Sequence, residues 1–376
     1  MLHGIKVLEL ASVLAGPSVG QFFAELGAGV IKVENLSSGG DVTRTWKGMG
    51  EQTDDRSAYF CSVNWGKKSI ALDLNTANER SIVLQLARQS DVVIASYKPG
   101  DADKLGVAYH QLKALNPTLI YGQITGYGPD QNRVGYDAVI QAESGFMELN
   151  GSAEGPPTKM PVALIDVLAA HHLKEGLLLA LLKREKTGQG SFVEVSLIQS
   201  AISSLVNQAS NWLVAHHLPK RQGSAHPNIA PYGDSFLTKD GKRVLLAIGS
   251  NRQFLDLIQV LGLKQLENDV RFSANPERVN NRPALNEFLE KAIEQIESTA
   301  LMQSLHRKKI PAGLIQNMAE VFEMPTAREI LLGHNSLQGV RNFVATINHD
   351  WPTSTLLPPP HFGEHTREIV DGLNQK

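Results

Sequence analysis

The N-terminal part of the sequence alternates between short apolar runs and helical patterns, and this alternation restricts the fold more than any other feature. Residues 5–10 and 30–34 have the pattern of buried strands, and residues 18–26 between them have a helical pattern that ends at a Gly-Ala-Gly sequence. A strand, a helix and a second strand in this order form a βαβ unit, in which the two strands are parallel. The sequence therefore predicts an α/β fold.

The same alternation continues along the chain. Further strands are predicted at residues 69–72, 91–96, 119–124 and 191–195, with helical patterns at residues 77–89 and 166–186. Repeated units of this kind build a Rossmann-like, doubly wound parallel sheet, in which ligands bind beyond the carboxyl ends of the strands. We therefore expect the functional residues to follow the predicted strands.

The chain is too long for one hydrophobic core. It has 376 residues, 42% of them hydrophobic, and single cores stop growing at roughly 250–300 residues. A basic stretch interrupted by Pro and Gly ends near residue 232, and residues 201–232 are the predicted linker. The strand and helix patterns beyond it predict a second, smaller α+β domain.

Charge and hydropathy exclude several classes of partner. Lys and Arg number 36 against 38 acidic residues, so no strong positive field is expected to attract nucleic acid or a membrane surface. The longest apolar run, residues 176–182, is far shorter than the ~20 residues of a membrane span. The N-terminus lacks a signal-peptide pattern, and the single cysteine, Cys61, excludes an intrachain disulfide. We expect a cytoplasmic protein.

The common cofactor motifs are missing. Glu34 ends the second predicted strand, where a ribose-binding acid stands in dinucleotide-binding folds, but the turn after the first strand lacks G-x-G-x-x-G. No nicotinamide or flavin is therefore expected. The adjacent pairs His171-His172 and His216-His217 point about 100° apart on a helix, unlike the i, i+4 spacing of helical metal ligands. No metal is expected either.

One carboxylate stands out by its position. Asp166 interrupts the apolar residues 161–170 where an extended segment is predicted to become a helix. In one interpretation it is an N-cap, because Asp often accepts hydrogen bonds from the first free amides of a helix. In the other it is a nucleophile or base in apolar surroundings. The residues alone leave both interpretations open.

Short motifs over nearly the whole chain resemble one family. They are I-x-V-L-E-L followed by A-G-P in residues 5–17, G-A-x-V-I-K-V-E in 27–34, N-x-x-K-x-S-I-x-L-D in 64–73, P-G-x-x-x-x-L-G in 99–106, Gly135-Tyr136-Asp137, and Gly363-Glu364-His365-Thr366. Together they are similar to the family III CoA-transferases of the CaiB/BaiF type, the group of formyl-CoA transferase and carnitine CoA-transferase.

The resemblance implies a domain arrangement and an assembly. Residues 1–200 and about 320–376 are expected to form a large Rossmann-like, CoA-binding domain, and residues from about 233 to 319 a small inserted domain. Two subunits are expected to form an interlocked homodimer, each threaded through the other. The implied substrates are an acyl-CoA and a small carboxylic acid.

The resemblance also implies site residues. Asp166 matches the catalytic aspartate, which takes the acyl group as a mixed anhydride and then carries CoA as a thioester. The positions that match the CoA-binding residues are Val13, Ala15, Leu72, Ser96, Tyr97, Lys104, Leu105 and Tyr136. Some depart from the family pattern: Ser96 replaces an amide, Lys104 an arginine, and Asn35 and Asn75 basic residues. A bidentate grip on phosphate is therefore not expected from Lys104.

Two other functions remain open. The α-methylacyl-CoA racemases of the same superfamily have G-H-D where this chain has Gly135-Tyr136-Asp137. A phenol with a pKa near 10 is a poor base at neutral pH, so the two-base arrangement of a racemase is broken. The other alternative is a non-catalytic acyl-CoA-binding protein.

The substrate acid is inferred from residues after the second strand. Arg44 and Trp46 are the candidate substrate contacts, because a cation there suits the second carboxylate of a dicarboxylic acid. The alternative is an ion pair of Arg44 with Asp41. Oxalate, succinate or a C5 relative is the expected type of acid.

Overall fold

The structure is a computed structural model that describes residues 1–348 and 356–375. It contains two compact units, which are described separately below. The first consists of Met1–Phe146, Lys159–His216 and Arg328–Lys376, and the second of Met147–Thr158 and His217–Ala327. The residues of the predicted linker, 201–232, are thus divided between the two units at His216.

Eleven strands are present in the described part of the chain. They are β1 (Lys6–Leu10), β2 (Gly29–Asn35), β3 (Lys67–Leu72), β4 (Val92–Ala95), β5 (Ile120–Thr125), β6 (Ser191–Ser196), β7 (Tyr232–Leu237), β8 (Arg243–Ala247), β9 (Ala312–Leu314), β10 (Leu331–His334) and β11 (Leu337–Val340).

The α-helices of the described residues range from single turns to one long helix. They are α1 (Ala15–Glu25), α2 (Ala58–Cys61), α3 (Ala77–Arg88), α4 (Asp101–Lys104), α5 (Tyr109–Leu115), α6 (Asp137–Glu143), α7 (Phe146–Leu149), α8 (Leu164–Thr187), α9 (Leu197–Ser203), α10 (Val206–Leu213), α11 (Asn251–Val260), α12 (Asn275–Asn280), α13 (Arg282–Ile293), α14 (Ser298–Arg307), α15 (Met318–Glu323), α16 (Pro325–Glu329) and α17 (Thr366–Asn374). None of the helices in these residues is both long and apolar enough to cross a bilayer.

The first unit is built around a six-stranded sheet in the order β3-β2-β1-β4-β5-β6. All its neighbouring strands are parallel; Val7 of β1, for example, pairs with Val30 of β2 and with Val92 of β4. The predicted α/β fold with a parallel sheet is therefore confirmed. The strand order reverses between β1 and β4, and the crevice beyond their carboxyl ends is the expected ligand site of such a sheet.

Both faces of this sheet are covered. Successive residues of a strand point to opposite faces, and Val7 packs in one apolar cluster with α1 and α8 while Leu8 packs in another with α3 and α5. All residues of α1 are buried. Gly20 allows α1 to lie close to β1, since a Cβ atom there would overlap Oε2 of Glu9. This burial on both faces explains why the strands are nearly continuous apolar runs.

The second unit has its own core. Its strands form a three-stranded antiparallel sheet in the order β7-β8-β9. Helices α11, α13 and α14 contribute apolar side chains that pack against the sheet, among them Leu257, Leu289 and Leu305, all fully buried. The unit thus consists of helices packed against a small antiparallel sheet.

Candidate active site

A pocket of about 310 Å³ lies in the first unit, where the sheet order reverses. Its walls come from the turn after β1, the segment after β4, the segment after β5 and the first turn of α8. These segments meet because the carboxyl ends of parallel strands lie at the same edge of the sheet. The predicted site residues that line this pocket are Val13, Ala15, Ser96, Tyr97, Tyr136 and Asp166.

The other predicted CoA-binding residues lie elsewhere. Leu72 is buried at the end of β3 in the apolar core. Leu105 lines a second pocket of about 310 Å³ at the carboxyl ends of β1 to β3, where Asn35 and Asn75 are also found. The side chain of Lys104 is 77% exposed and pairs with Asp101 at 2.9 Å. The two pockets share Ser12 and Tyr97.

Asp166 belongs to the first turn of α8 but is not its N-cap. The helix begins at Leu164, the N-cap position is occupied by Ala163, and that residue makes no side-chain capping bond. The N-cap interpretation of Asp166 is therefore wrong. Its carboxylate makes no capping bond and is available for another role.

The N-terminus of α8 is capped by Asp137, which lies before the helix in another segment, because Ala163 at the N-cap position makes no side-chain hydrogen bond. Oδ1 of Asp137 accepts a hydrogen bond of 2.8 Å from the backbone N–H of Ile165, and Gln141 Nε2 donates to its other oxygen at 2.6 Å. Asp137 is itself buried and begins α6. The sequence shows this residue only as the last letter of Gly135-Tyr136-Asp137, and nothing local indicates that it caps a helix 28 positions away.

The environment of Asp166 favours its protonated form. The residue is 7% exposed, and among residues 1–348 and 356–375 none makes a hydrogen bond or an ion pair with its carboxylate. Burial raises the pKa of Asp166, and the negative charge of Asp137 raises it further, to about 7. A carboxylate that loses its proton near neutral pH without an ionic partner is a strong candidate for a reacting group.

Tyr59 lies near this carboxylate, and no motif in the sequence indicates it. Burial raises the pKa of Tyr59 to about 12, with smaller contributions from the charges of Asp166, Asp137 and Asp41. The ring packs edge-on against Trp46, with 5.2 Å between centroids. Tyr59 therefore stays a neutral phenol close to the acidic groups of the site.

Asp166 should lower the stability of the fold at neutral and alkaline pH. Because its pKa is raised in the folded protein, the folded state binds more protons than the unfolded one between about pH 4 and pH 7, and stability falls over that range as the pH rises. We expect Asp166→Asn to increase the free energy of unfolding at pH 8 by about 2–4 kcal/mol. Urea unfolding as a function of pH measures the effect.

The increase should shrink toward zero as the pH is lowered to about 4, where Asp166 is protonated in both states. Asp371→Asn, on the exposed side of α17, is the control and should change little. A pH-independent difference between wild type and Asp166→Asn would contradict the raised pKa.

Arg44 is not free to bind a substrate. Its Nη2 and Nε atoms donate to the two carboxylate oxygens of Glu34 at 2.6 and 2.8 Å, and its guanidinium lies 3.7 Å from the ring centroid of Phe60. It is 4% exposed and also donates to the carbonyl of Pro360. The predicted contact of Arg44 with the substrate is therefore corrected. Arg44 forms ion pairs with Glu34 and Asp55, and not with Asp41 as in the alternative interpretation.

Contacts within the protein also account for the positions of Trp46 and Glu34. Trp46 is 40% exposed and packs on Tyr59, and it is not among the residues that line either pocket at the sheet edge. Glu34, considered above as a ribose-binding acid, also receives hydrogen bonds from Ser69 Oγ and the N–H of Asp41. Its carboxylate is therefore fully engaged inside the protein.

Two cations that no motif in the sequence indicates line the pocket of Asp166. They are Lys98 and Arg133. Arg133 pairs with Glu143 at 2.5 Å and lies over the ring of Tyr127 at 4.2 Å from its centroid. Gly126 and Gly135 lie against each other on either side of the segment that carries Arg133. A Cβ atom on Gly135 would lie 2.6 Å from the Cα of Gly126, so the close approach requires glycine.

One exposed group of potential metal ligands occurs in the described residues. It consists of Asp54, Asp55 and His361. Arg56 donates to both oxygens of Asp54, and Asp55 accepts from the N–H of Phe362 at 2.7 Å. These protein contacts account for the position of the carboxylates.

Comparisons with known proteins agree on one family. The family model described as CoA-transferase family III matches residues 2–366. The succinate–glutarate CoA-transferase of Agrobacterium fabrum is 35% identical over 386 residues, covering 99% of this chain and 95% of that protein. The acetyl-CoA:oxalate CoA-transferase of Acetobacter aceti is 34% identical over 355 residues, covering 93% and 90%. The crystal structure of a CaiB/BaiF family protein from Brucella suis matches with a TM-score of 0.88 at 38% identity, covering 99% of both chains.

Proposed function

The chain belongs to CoA-transferase family III, and we propose that it moves CoA between small dicarboxylic acids through covalent derivatives of Asp166. The family membership confirms the resemblance found in the motifs. The role of Asp166 is supported by the environment of its carboxylate. This group is buried, has no ionic partner, and lies in the wall of the pocket where the strand order reverses. No other carboxylate in the two pockets combines these properties among the described residues. Asp41 and Glu34 are bound by cations, Asp137 caps α8, and Asp73 is only half-buried and accepts hydrogen bonds from Asn75.

The proposed reaction begins at the donor thioester. The Asp166 carboxylate attacks the thioester carbonyl, the C–S bond breaks, and the products are an aspartyl-acyl mixed anhydride and the CoA thiolate. The thiolate then attacks the aspartyl carbonyl of the anhydride, so that the donor leaves as a carboxylate and Asp166 becomes a CoA thioester. Each step transfers an acyl group from one activated bond, thioester or anhydride, to another, so the transfer is divided into easier covalent steps.

The second half repeats these steps in reverse order. The acceptor carboxylate attacks the aspartyl-CoA thioester, giving a new mixed anhydride and the thiolate. The thiolate attacks the acceptor acyl carbon, which yields the new acyl-CoA and restores the Asp166 carboxylate. A buried Asp166 limits the access of water, which would otherwise hydrolyse the anhydride.

The N-terminus of α1 supports this chemistry. Leu14 and Ala15, at the start of this helix, line the same pocket as Asp166, and the helix starts without a side-chain cap or an acidic residue in its first turn. Its partial positive charge stabilises negative charge that develops on a thioester or anhydride oxygen. Tyr59, as a neutral phenol, adds no further negative charge beside Asp166.

CoA is proposed to lie along the carboxyl edge of the Rossmann-like sheet. Val13, Ala15, Ser96 and Tyr136 line the pocket proposed for the thioester end. Tyr97 and Leu105 line the second pocket, proposed for the nucleotide end. Lys104, exposed beside it on α4, remains the proposed contact for a phosphate group, and Leu72 contributes only from within the core.

A dicarboxylate substrate is supported by the relatives and by the cations of the pocket. The relatives named above are described as acting on succinate and glutarate or on oxalate. Arg44 is buried against Glu34 and does not line the pocket; the positive charges that do are Lys98 and Arg133, and Arg133 is exposed beside its partner Glu143. One of them is the proposed contact for the carboxylate that does not react.

The interlocked homodimer is proposed from the apolar surface of the first unit. On α8, Leu179 and Leu182 are 67% and 61% exposed, and on α10, Trp212 and Leu213 are 51% and 71% exposed. A second subunit that covers these helices would bury this surface. The cytoplasm remains the proposed compartment.

A CoA-exchange assay tests the proposed function. The protein is incubated with succinyl-CoA and a panel of mono- and dicarboxylic acids of two to five carbons, and new acyl-CoA products are identified by mass spectrometry. We expect CoA to move to dicarboxylates, oxalate or glutarate among them, faster than to monocarboxylates. Exchange of the α-proton without an acceptor acid would indicate a racemase, and CoA binding without either reaction a non-catalytic binder.

A further inference from the structure

Val13 has a backbone conformation that a valine rarely adopts. Its φ is 73°, in the left-handed region, where β-branched side chains are unfavourable and where strain occurs mostly at functional sites. Val13 is in the turn after β1 and lines the pocket of Asp166. Of the described residues, Val206 is the other β-branched one with a positive φ, and it lies outside this pocket.

The Asp41 carboxylate holds this turn. Both of its oxygens lie 3.3 Å from the backbone nitrogen of Val13, which donates to them. Asp41 follows β2, so the contact joins segments 28 residues apart. The N–H group of Val13 is therefore committed to the protein and is not available to a ligand.

Asp41 is in turn fixed by buried contacts. Lys32 Nζ lies 2.9 Å from its Oδ2, and both side chains are almost completely buried. The same ammonium group binds Glu9 Oε1 at 3.0 Å and donates to the carbonyl of Ala11 at 2.7 Å. Thr43 donates to Oδ1 of Asp41 from its backbone N–H and its hydroxyl, at 3.1 and 2.8 Å.

These contacts lead from the interior of the sheet to the pocket wall. Glu9 is in β1 and Lys32 in β2, and a buried ion pair with additional hydrogen bonds has a restricted geometry. Because Asp41 is fixed by Lys32, its hydrogen bonds with the Val13 N–H restrict the turn after β1 as well. The contacts of Asp41 thus hold Val13 in the left-handed conformation. A strained backbone conformation of this kind persists only where the surrounding structure determines it.

We propose that Asp41 is a positioning residue, which keeps Val13 in the left-handed conformation that shapes the wall of the Asp166 pocket for the acyl-CoA thioester. This inference rests on the proposed function, since it takes the pocket as the thioester site. In this role Asp41 does not react; because it also lines the second pocket, its coupling to residue 13 is what separates the positioning role from a direct contact with CoA. Asp41 acts through the backbone of Val13.

A double-mutant cycle between residues 41 and 13 tests the proposal. Glycine adopts a positive φ without steric cost, so Val13→Gly should make the restraint unnecessary. We expect Asp41→Ala to raise the KM for acyl-CoA about tenfold, with kcat changed less than about threefold. In the Val13→Gly background the same Asp41→Ala substitution should raise KM less than about threefold. An equal rise in both backgrounds overturns the proposal.

Two further variants keep the test decisive. Asp41→Ala leaves Lys32 with one carboxylate fewer, so the cycle is repeated with Lys32→Met and Asp41→Ala together, which removes both charges and guards against failure to fold. Asp41→Asn keeps an oxygen acceptor for Val13 and should retain more affinity than Asp41→Ala. The control is Asp55→Asn, which removes a partner of Arg44 without contacting Val13, and it should show no coupling to residue 13.

Binding and structure provide readouts that do not depend on turnover. CoA affinity, measured by calorimetry for the four proteins of the cycle, should show the same coupling as KM. A crystal structure of the Asp41→Ala variant should show residue 13 outside the left-handed region, and a retained positive φ would overturn the proposal. If no variant or wild type transfers CoA, the proposed function fails, while coupling in CoA binding still decides the role of Asp41.

Discussion

Replacement of Asp166 by Asn or Ala is expected to abolish CoA transfer, with kcat/KM reduced by at least about 10⁴-fold. The reason is that no mixed anhydride can form without the carboxylate. The other acid that lines this pocket, Asp137, is held by the N–H of Ile165 and by Gln141. Acyl-CoA should still bind within about threefold of the wild-type affinity, because the deleted group makes covalent contact only during the reaction. Steady-state kinetics and calorimetric CoA binding measure the two quantities.

Chemical trapping tests the covalent role directly. When wild-type protein meets acyl-CoA and then hydroxylamine or borohydride, the peptide that contains Asp166 should change in mass, because the activated aspartyl group reacts with either reagent. The Asp166→Asn variant should show no change at that peptide, and the Asp371→Asn control should react like wild type. An unmodified Asp166 peptide, together with full activity of the alanine variant, would rule out this aspartate as the nucleophile.

Activity is expected to fall on the acidic side with a midpoint near pH 7. Burial and the charge of Asp137 raise the pKa of Asp166 to about 7, and only the ionised form attacks the thioester. Below the midpoint, kcat/KM for acyl-CoA should therefore drop about tenfold per pH unit, so that pH 5 and pH 8 differ by about a hundredfold. Wild-type pH–rate profiles, with denaturation checked at each pH, measure this limb.

Asp137→Asn separates this explanation from a general effect of pH. The amide keeps an oxygen that can accept the N–H of Ile165, but it removes the negative charge that raises the pKa of Asp166. The midpoint should therefore move to lower pH while α8 remains capped. A wild-type midpoint near pH 4, or an unchanged midpoint in Asp137→Asn, would contradict the assigned environment of Asp166.

The strands and the position of Asp166 were predictable because both depend on local patterns. Runs such as Val92–Ala95 are apolar throughout, since both faces of a parallel sheet are covered. Asp166 was visible as a charge within an apolar run at a predicted helix start, and the motif match to the family then assigned its role. The charge that raises its pKa was not predictable, since Asp137 acts on it from another helix.

The sequence by itself therefore determined the α/β fold with its parallel sheet, the family and the identity of the candidate nucleophile. Only the tertiary structure decided which polar groups meet: Asp137 with the first turn of α8, Arg44 with Glu34, and Asp41 with Val13. The physical reason lies in the range of the interactions. Hydrophobic periodicity and helix propensity act over a few neighbouring residues, whereas ion pairs and hydrogen bonds in a buried site join segments that only the folded chain brings together.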